Sequence, residues 1–317
     1  MAERVWYNRP MITHAEQQPV SSARVHFFLI LTTVFWGGSF LFTKLGLREL
    51  PPVLFVFSRF ALATIIMLVV CAGRLQALNR EILRRGAIVG LTLGVTNLSF
   101  VYGVSGTSIS RAGILNNLFV LFIPLIGKLI WQDRIGRLNL AGIALAVTGI
   151  WLLATGGGAG FNRGDLISTV CALFIAVQII AVSKVLQDED VYLVSLVQFA
   201  VVALMAGLAA LATPLPPLGV SLPTIGTVVY CAIFPTVVCF TMQNAFQRYT
   251  TPTRAGLIYT LDPVWSLLAG LLVLGERLSA REWVGCGLIF LAAALPLTVR
   301  FVIERRLRER YIGEPAA

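Results

Sequence analysis

Residues 111–115 read Arg111-Ala112-Gly113-Ile114-Leu115, and residues 254–258 read Arg254-Ala255-Gly256-Leu257-Ile258, at an offset of 143 (254 − 111). The same offset, without a gap, carries Leu118 onto Leu261, Gly127 onto Gly270, Leu129 onto Leu272, Arg134 onto Arg277, Gly142 onto Gly285 and Leu145 onto Leu288. Asp133-Arg134 lands on Glu276-Arg277. An apolar chain that repeats itself in this way is the mark of many transporter folds, in which two related halves flank a shared site.

Composition supplies the setting. With 57% hydrophobic and 13% charged residues, the chain is no ordinary soluble globule. Apolar stretches of about 20 residues, each long enough for a ~30 Å hydrocarbon layer, predict ten spans: 26–47, 53–73, 86–106, 111–131, 138–155, 164–185, 191–212, 221–245, 254–275 and 282–300. Arg111 opens the fourth span and Arg254 the ninth. Five spans separate them, an odd number, so the second copy is expected to cross in the opposite direction. Weaker matches extend the repeat: Lys44 onto Lys184 at 140, and Arg59-Phe60 onto Gln198-Phe199 at 139. The fold class expected is an all-α membrane protein, ten transmembrane helices as two inverted five-helix repeats.

The domain plan follows: a tail at 1–25, a first repeat at 26–155, a linker at 156–163, a second repeat at 164–300 and a basic tail at 301–317. The N-terminal stretch lacks a signal peptide's apolar core and cleavage site, so the first span is expected to stay as an uncleaved anchor. The run Gly156-Gly157-Gly158-Ala159-Gly160 reads as a flexible junction. No Lys-Ser/Thr follows it, which discounts a phosphate loop.

A net charge of +10 raises the question of nucleic acid, but charge placement answers it. If the N-terminus is cytoplasmic, Lys44, Arg48, Arg59, Arg111, Arg163, Arg277 and Arg281 fall on the outer half, and the other 18 of the 25 Lys and Arg (25 − 7) on the inner. This is the positive-inside asymmetry of a multi-pass protein with both termini in the cytoplasm, and no nucleic-acid partner is expected. The five cysteines lie in or at the ends of spans, without paired spacing, and only His14 and His26 are present. Disulfides, zinc sites and Ser-His-Asp chemistry are therefore not expected.

Several stretches resemble a known family. Trp36-Gly37-Gly38-Ser39-Phe40 followed by Thr43-Lys44-Leu45-Gly46-Leu47 is similar to the first-span signature of the EamA family of drug/metabolite transporters, and Ser58-Arg59-Phe60 to its second-span Arg-Phe. Leu261-Asp262-Pro263-Val264, Leu274-Gly275-Glu276-Arg277-Leu278 and Trp283-Val284-Gly285 resemble its ninth-to-tenth-span signature. The resemblance implies ten helices in two five-helix repeats and export or exchange of small metabolites such as amino acids. It departs from the family at two places. Phe119-Val120 stands where the family has a proline, with Pro124 a turn later, and Gln132-Asp133 replaces a Gly-Glu pair.

Asp262 is the one acidic residue placed well inside a span. A lone carboxylate there costs about 2.5–3.5 kcal/mol, so it faces protein or water. It reads either as a site for a substrate amine or proton, or as a cap for the amides freed before Pro263; the two are compatible. Trp36, Asn97, Asn116, Asn117, Gln178, Tyr259 and Trp265, with Gln198, also fall at depth. Amides can read a zwitterion and rings can cover an apolar or cationic ligand, though the same amides also glue helices together. Trp36, Asn97, Asn116, Asn117, Gln178, Tyr259, Asp262 and Trp265 form the candidate substrate-binding set.

Lys44 reads as a cation snorkelling to the headgroups. Arg59, deeper, reads as an anion contact or a partner of Glu49. Glu276-Arg277 and Asp133-Arg134 read as hairpin-corner charges, and Gly90-Leu91-Thr92-Leu93-Gly94 as a helix-packing face.

The function expected is secondary transport of a small organic, amino-acid-like metabolite by alternating access, as exporter or exchanger, in a bacterial inner membrane. No cofactor is expected. The partners are the metabolite, the bilayer and a coupling proton or exchanged solute, with the chain a monomer or homodimer. The alternative is a membrane-embedded receptor or enzyme. An enzyme would need convergent acid–base groups, and Asp262 is nearly alone.

Overall fold

The computed structural model describes residues 22–131, 137–156, 160–186, 189–214 and 219–292. Among them all regular structure is helical, as it must be where hydrocarbon leaves the backbone no partner but itself. The helices are α1 (Ser22–Gly46), α2 (Pro52–Val70), α3 (Arg80–Gly106), α4 (Ile109–Asn116), α5 (Phe119–Trp131), α6 (Arg137–Gly156), α7 (Arg163–Val185), α8 (Val191–Ala210) and α9 (Leu222–Cys231). A π-helical segment, Ala232–Val238, leads into α10 (Cys239–Phe246), followed by α11 (Pro252–Tyr259), α12 (Asp262–Leu272) and α13, residues 280–292. Eight helical stretches are long and apolar enough to cross a membrane, and a shorter apolar one lies at Ala141–Leu152. Of the expected tenth span, 293–300 lie outside the described residues, as do Gln132, Asp133, Arg134, 157–159 and the tails.

Sequence capping explains the helix ends. Asn79 accepts from Ile82 N at 2.9 Å, so α3 begins six residues before its predicted apolar stretch. Asn162 and Asp165 form a reciprocal capping box at α7, and Asp190 accepts from Tyr192 and Leu193 at α8; each satisfies amides a helix start leaves open. The repeat reappears in local structure. Ser108 caps α4 through Arg111 N, and Thr251, 143 residues on (251 − 108), caps α11 through Arg254 N. Leu129 and Leu272, matched at the same offset, are 84% and 80% exposed, which fits side chains facing lipid.

Two predicted spans are each divided. The fourth breaks between α4 and α5 at Asn117-Leu118, and the ninth between α11 and α12 at Thr260-Leu261, again 143 apart. At both points the ladder tightens to bonds spanning three residues, Leu118 N to Leu115 O and Leu261 N to Ile258 O. The first break occurs although Phe119-Val120 holds no proline, so its cause is not a missing amide there. In α9–α10, Pro235 cannot donate to the carbonyl four residues back; Thr236 Oγ1 donates to that Cys231 oxygen instead, at 2.6 Å.

Packing interleaves the two halves: α3 lies against α7 and α8, α2 against α8, and α1 against α9, α11 and α12. Gly86, Gly90 and Gly94 of α3 sit opposite Val197, Val201 and Met205 of α8. The four-residue spacing on both helices lets ridges enter grooves, and the expected small-residue face is the α3–α8 contact.

Two expectations are corrected. Lys44 does not reach for headgroups; its Nζ donates to Val104 O at 2.8 Å and Thr107 O at 2.7 Å, closing the C-terminus of α3. Those carbonyls have no helical donor, which makes them a better partner than lipid. Glu276 is more than a corner charge. It accepts from Ile109 N at 2.8 Å, Ser110 N at 3.1 Å and Ser110 Oγ at 2.5 Å, pinning the hairpin after α12 to the start of α4.

Beside that contact lies a buried ion cluster. Arg111 Nη2 meets Asp165 Oδ2 at 2.7 Å and donates to Gly160 O at 2.9 Å, while Nη1 stands 3.6 Å from Glu282 Oε1. Thr107 Oγ1 donates to Asp165 Oδ1 at 2.6 Å. Arg111, Asp165 and Glu282 are 5%, 0% and 7% exposed, so removing the cation strands two carboxylates. Arg111→Met is expected to cost about 3–5 kcal/mol. Arg84→Met, whose partner Glu81 is exposed, should cost about 0–1 kcal/mol. Unfolding midpoints of the two variants in detergent check the difference.

Candidate functional site

The broken spans meet a cavity. Its walls come from α1 (Trp36, Ser39, Phe40), α2 (Arg59), α3 (Leu93, Thr96, Asn97, Phe100), the α4–α5 break (Gly113, Asn116, Asn117, Phe119), α7 (Ile175, Gln178, Ile179), α10 (Phe240, Gln243) and the α11–α12 break (Tyr259, Asp262, Pro263). A water's centre can move through about 100 Å³ of it, room for roughly seven to ten waters at ~10–15 Å³ each, the size of a small organic solute.

One part of the wall is aromatic. Trp36 lies 5.3 Å from Phe240 and 5.2 Å from Tyr259 between ring centroids, and Phe40 meets Phe100 edge-on at 4.8 Å. The Trp36 indole is oriented by donating to Pro235 O at 3.1 Å. Such rings offer apolar area with few rotamers to freeze.

The rest is polar and underpartnered. Arg59, 2% exposed, donates through Nε to Thr236 Oγ1 at 2.6 Å, and its guanidinium carbon lies 5.3 Å from the Phe60 ring centroid. No carboxylate among the described residues pairs with it. Glu49, an expected partner, is held elsewhere: it accepts from Ser221 N at 2.8 Å and Ser221 Oγ at 2.7 Å, which lowers its carboxyl below the ordinary range. Asp262 lines the same cavity without pairing to Arg59, and its Oδ1 is sealed from solvent with no hydrogen-bond partner. Asn116 Oδ1 and both side-chain polar atoms of Asn117 are likewise unpartnered.

The capping reading of Asp262 is not the arrangement found. It is the first residue of α12, the cap position falls on Leu261, and no side-chain cap bond forms. Seven of the eight candidate residues, Trp36, Asn97, Asn116, Asn117, Gln178, Tyr259 and Asp262, line the cavity. Trp265 does not. Its Cβ presses on Gly37, where a side chain would collide, and its Nε1 donates to Thr33 Oγ1 at 3.2 Å, fixing the α1–α12 crossing. Gln198 is also elsewhere, accepting from Asn244 Nδ2 at 2.7 Å between α8 and α10.

The candidate set omitted Arg59, Ser39, Gln243 and several rings. A buried cation at depth was signal enough for Arg59. For Gln243 the signal was the helical spacing of Phe240, Gln243 and Gln247 on one face.

An all-helical membrane protein with a solute-sized cavity between its broken helices has the build of a transporter. Residues 23–155 and again 162–298 match the EamA-like transporter family. The chain belongs to that family. It is 27% identical to a protein of Archaeoglobus fulgidus named an uncharacterized transporter, over 84% of this chain and 83% of that one. It is 28% identical to a probable amino-acid metabolite efflux pump of Salmonella typhimurium, over 83% of this chain and 91% of the relative. A solved crystal structure shares its fold with a TM-score of 0.65 at 19% identity, covering 90% of this chain and all of the other.

Because the Asp262 side chain accepts no cap hydrogen bond, Asp262→Asn is expected to leave the unfolding midpoint unchanged or higher. Loss of a true cap would cost about 0.5–2 kcal/mol, and a fall of that size would restore the capping reading.

Proposed function

We propose that this membrane transporter carries a zwitterionic, amino-acid-like metabolite by alternating access, as a secondary exporter or exchanger in an inner membrane. One observation carries the reading: Arg59 and Asp262 place a cation and a carboxyl group in the lining of one cavity, neither paired with the other. Leaving a buried charge unpaired is costly, and a zwitterion cancels both costs at once. The aromatic wall takes the side chain, and Asn116 and Asn117 supply further hydrogen bonds. The name of the Salmonella typhimurium relative supports an amino-acid-like solute and outward movement, and that of an Escherichia coli relative, an inner membrane transporter 24% identical over 83% of this chain, supports the location.

The mechanism needs two halves that exchange roles. The repeat supports ten spans in two inverted five-helix units, 26–155 and 164–300, joined through 156–163, with both termini cytoplasmic. A receptor or enzyme fits less well. Asp262 is the one carboxylate among the described cavity residues, so no acid–base pair is at hand.

Purified protein in liposomes is expected to exchange such a solute saturably without ATP; a strict ATP requirement would refute secondary transport. Arg59→Gln and Asp262→Asn should each lower flux about tenfold or more, the worth of a charge-assisted hydrogen bond. For orientation, a thiol at Ser105, before α4, and one at Tyr249, before α11, should be labelled from opposite sides of the membrane; labelling from one side would overturn the inverted arrangement.

A further inference from the structure

Beneath the cavity wall runs a chain of side-chain amides that does not itself touch the cavity at its far end. Gln247, fully buried, donates from Nε2 to Ile179 O at 2.8 Å and to Ser183 Oγ at 2.8 Å. Its Oε1 accepts from Gln243 Nε2 at 2.8 Å and from the Tyr259 hydroxyl at 3.1 Å. Gln243 and Gln178 then exchange bonds, Nε2 to Oε1 in each direction, at 3.3 and 3.4 Å.

The direction of every bond in this chain is set from one end. A peptide carbonyl only accepts, so the amide of Gln247 must turn its NH₂ to Ile179 and its oxygen to the cavity side. That oxygen holds two donors and is full. Tyr259 must therefore spend its one proton on Gln247, and Gln243 must present its NH₂ to Gln247. What Tyr259 has left for the cavity is lone pairs only. Asp262 stands next in the wall, three residues on, and Asn116 adds an unpartnered oxygen. Within the lining, Asp262 and Asn116 thus add oxygens to the lone pairs of Tyr259, whereas Arg59 supplies only donors.

We propose that Gln247 is a positioning residue that fixes the acceptor polarity of the Tyr259–Asp262 wall, so that the site selects solutes bearing an ammonium group over deaminated analogues of the same shape. The inference rests on the zwitterion reading above. It adds a determinant outside the cavity and a direction of discrimination. With Gln247 replaced by an apolar side chain, the Tyr259 proton is released, can point into the cavity, and opposes an ammonium while welcoming a neutral or anionic oxygen.

The test is binding of L-leucine, L-methionine and L-phenylalanine, each against its deaminated carboxylic acid, to detergent-purified full-length protein by calorimetry. Wild type should prefer an amino acid over its acid about tenfold or more. Gln247→Met should shrink that ratio several-fold, and Tyr259→Phe should shrink it too. Adding Gln247→Met to Tyr259→Phe should shrink it no further. The ratio does not depend on how much protein folds, and Ser183→Ala, which removes one of the two anchors of Gln247, provides a milder variant expected to move it the same way. An unchanged ratio in Gln247→Met, or equal weakening of both ligands, overturns the positioning role while leaving the zwitterion reading intact. Absence of any amino-acid preference in wild type overturns both.

Discussion

Everything in this molecule follows from the rule that a backbone group in hydrocarbon must find its partner inside the protein. The rule makes the described chain helical. It also makes each interruption of a helix informative, because the freed groups have to be met by something particular. The carbonyl released by Pro235 is met by Thr236, whose hydroxyl then accepts from Arg59. A local break in a ladder thus becomes the seat of a buried cation. The end of α3 is met by Lys44 and the start of α4 by Glu276, so charges that sequence position alone assigned to the membrane surface are instead helix ends completed from other helices.

That distinction marks how far the sequence could be read. The apolar stretches and the offset of 143 are local, and each was visible in the order of residues. The small-residue face of α3 was visible as well, because its spacing is itself the packing motif. Partners were not visible. Nothing within a few residues of Lys44 points to Val104 and Thr107, and nothing near Glu49 points to Ser221, 172 residues away (221 − 49).

The cavity shows the same division in finer form. Polarity at depth brought Asn97, Asn116, Asn117, Gln178 and Asp262 to attention, since such residues are costly in lipid and must turn inward. Turning inward is not the same as reaching one space. Gln198 satisfies the rule by pairing with Asn244, and Trp265 by pairing with Thr33. Depth alone could not separate these from the cavity residues. Only the rotation of each helix about its axis does so, and that is set by contacts such as Trp265 on Gly37.

The ion cluster of Arg111, Asp165 and Glu282 adds an asymmetry that the repeat conceals. Arg254 matches Arg111 at offset 143, yet the residue matching Glu282 is Asn139 (282 − 143), and the offset of 140 that relates Lys44 to Lys184 matches Asp165 to Val25. The residues matched to Glu282 and Asp165 in the sequence are thus an amide and an apolar side chain rather than carboxylates. Buried ion pairs are strongly directional and costly to leave half-made, whereas amide and apolar contacts part and re-form at smaller cost. The two copies of the repeat thus share a scaffold but not the side chains at these two positions, and the sequence symmetry does not carry over to the ion cluster.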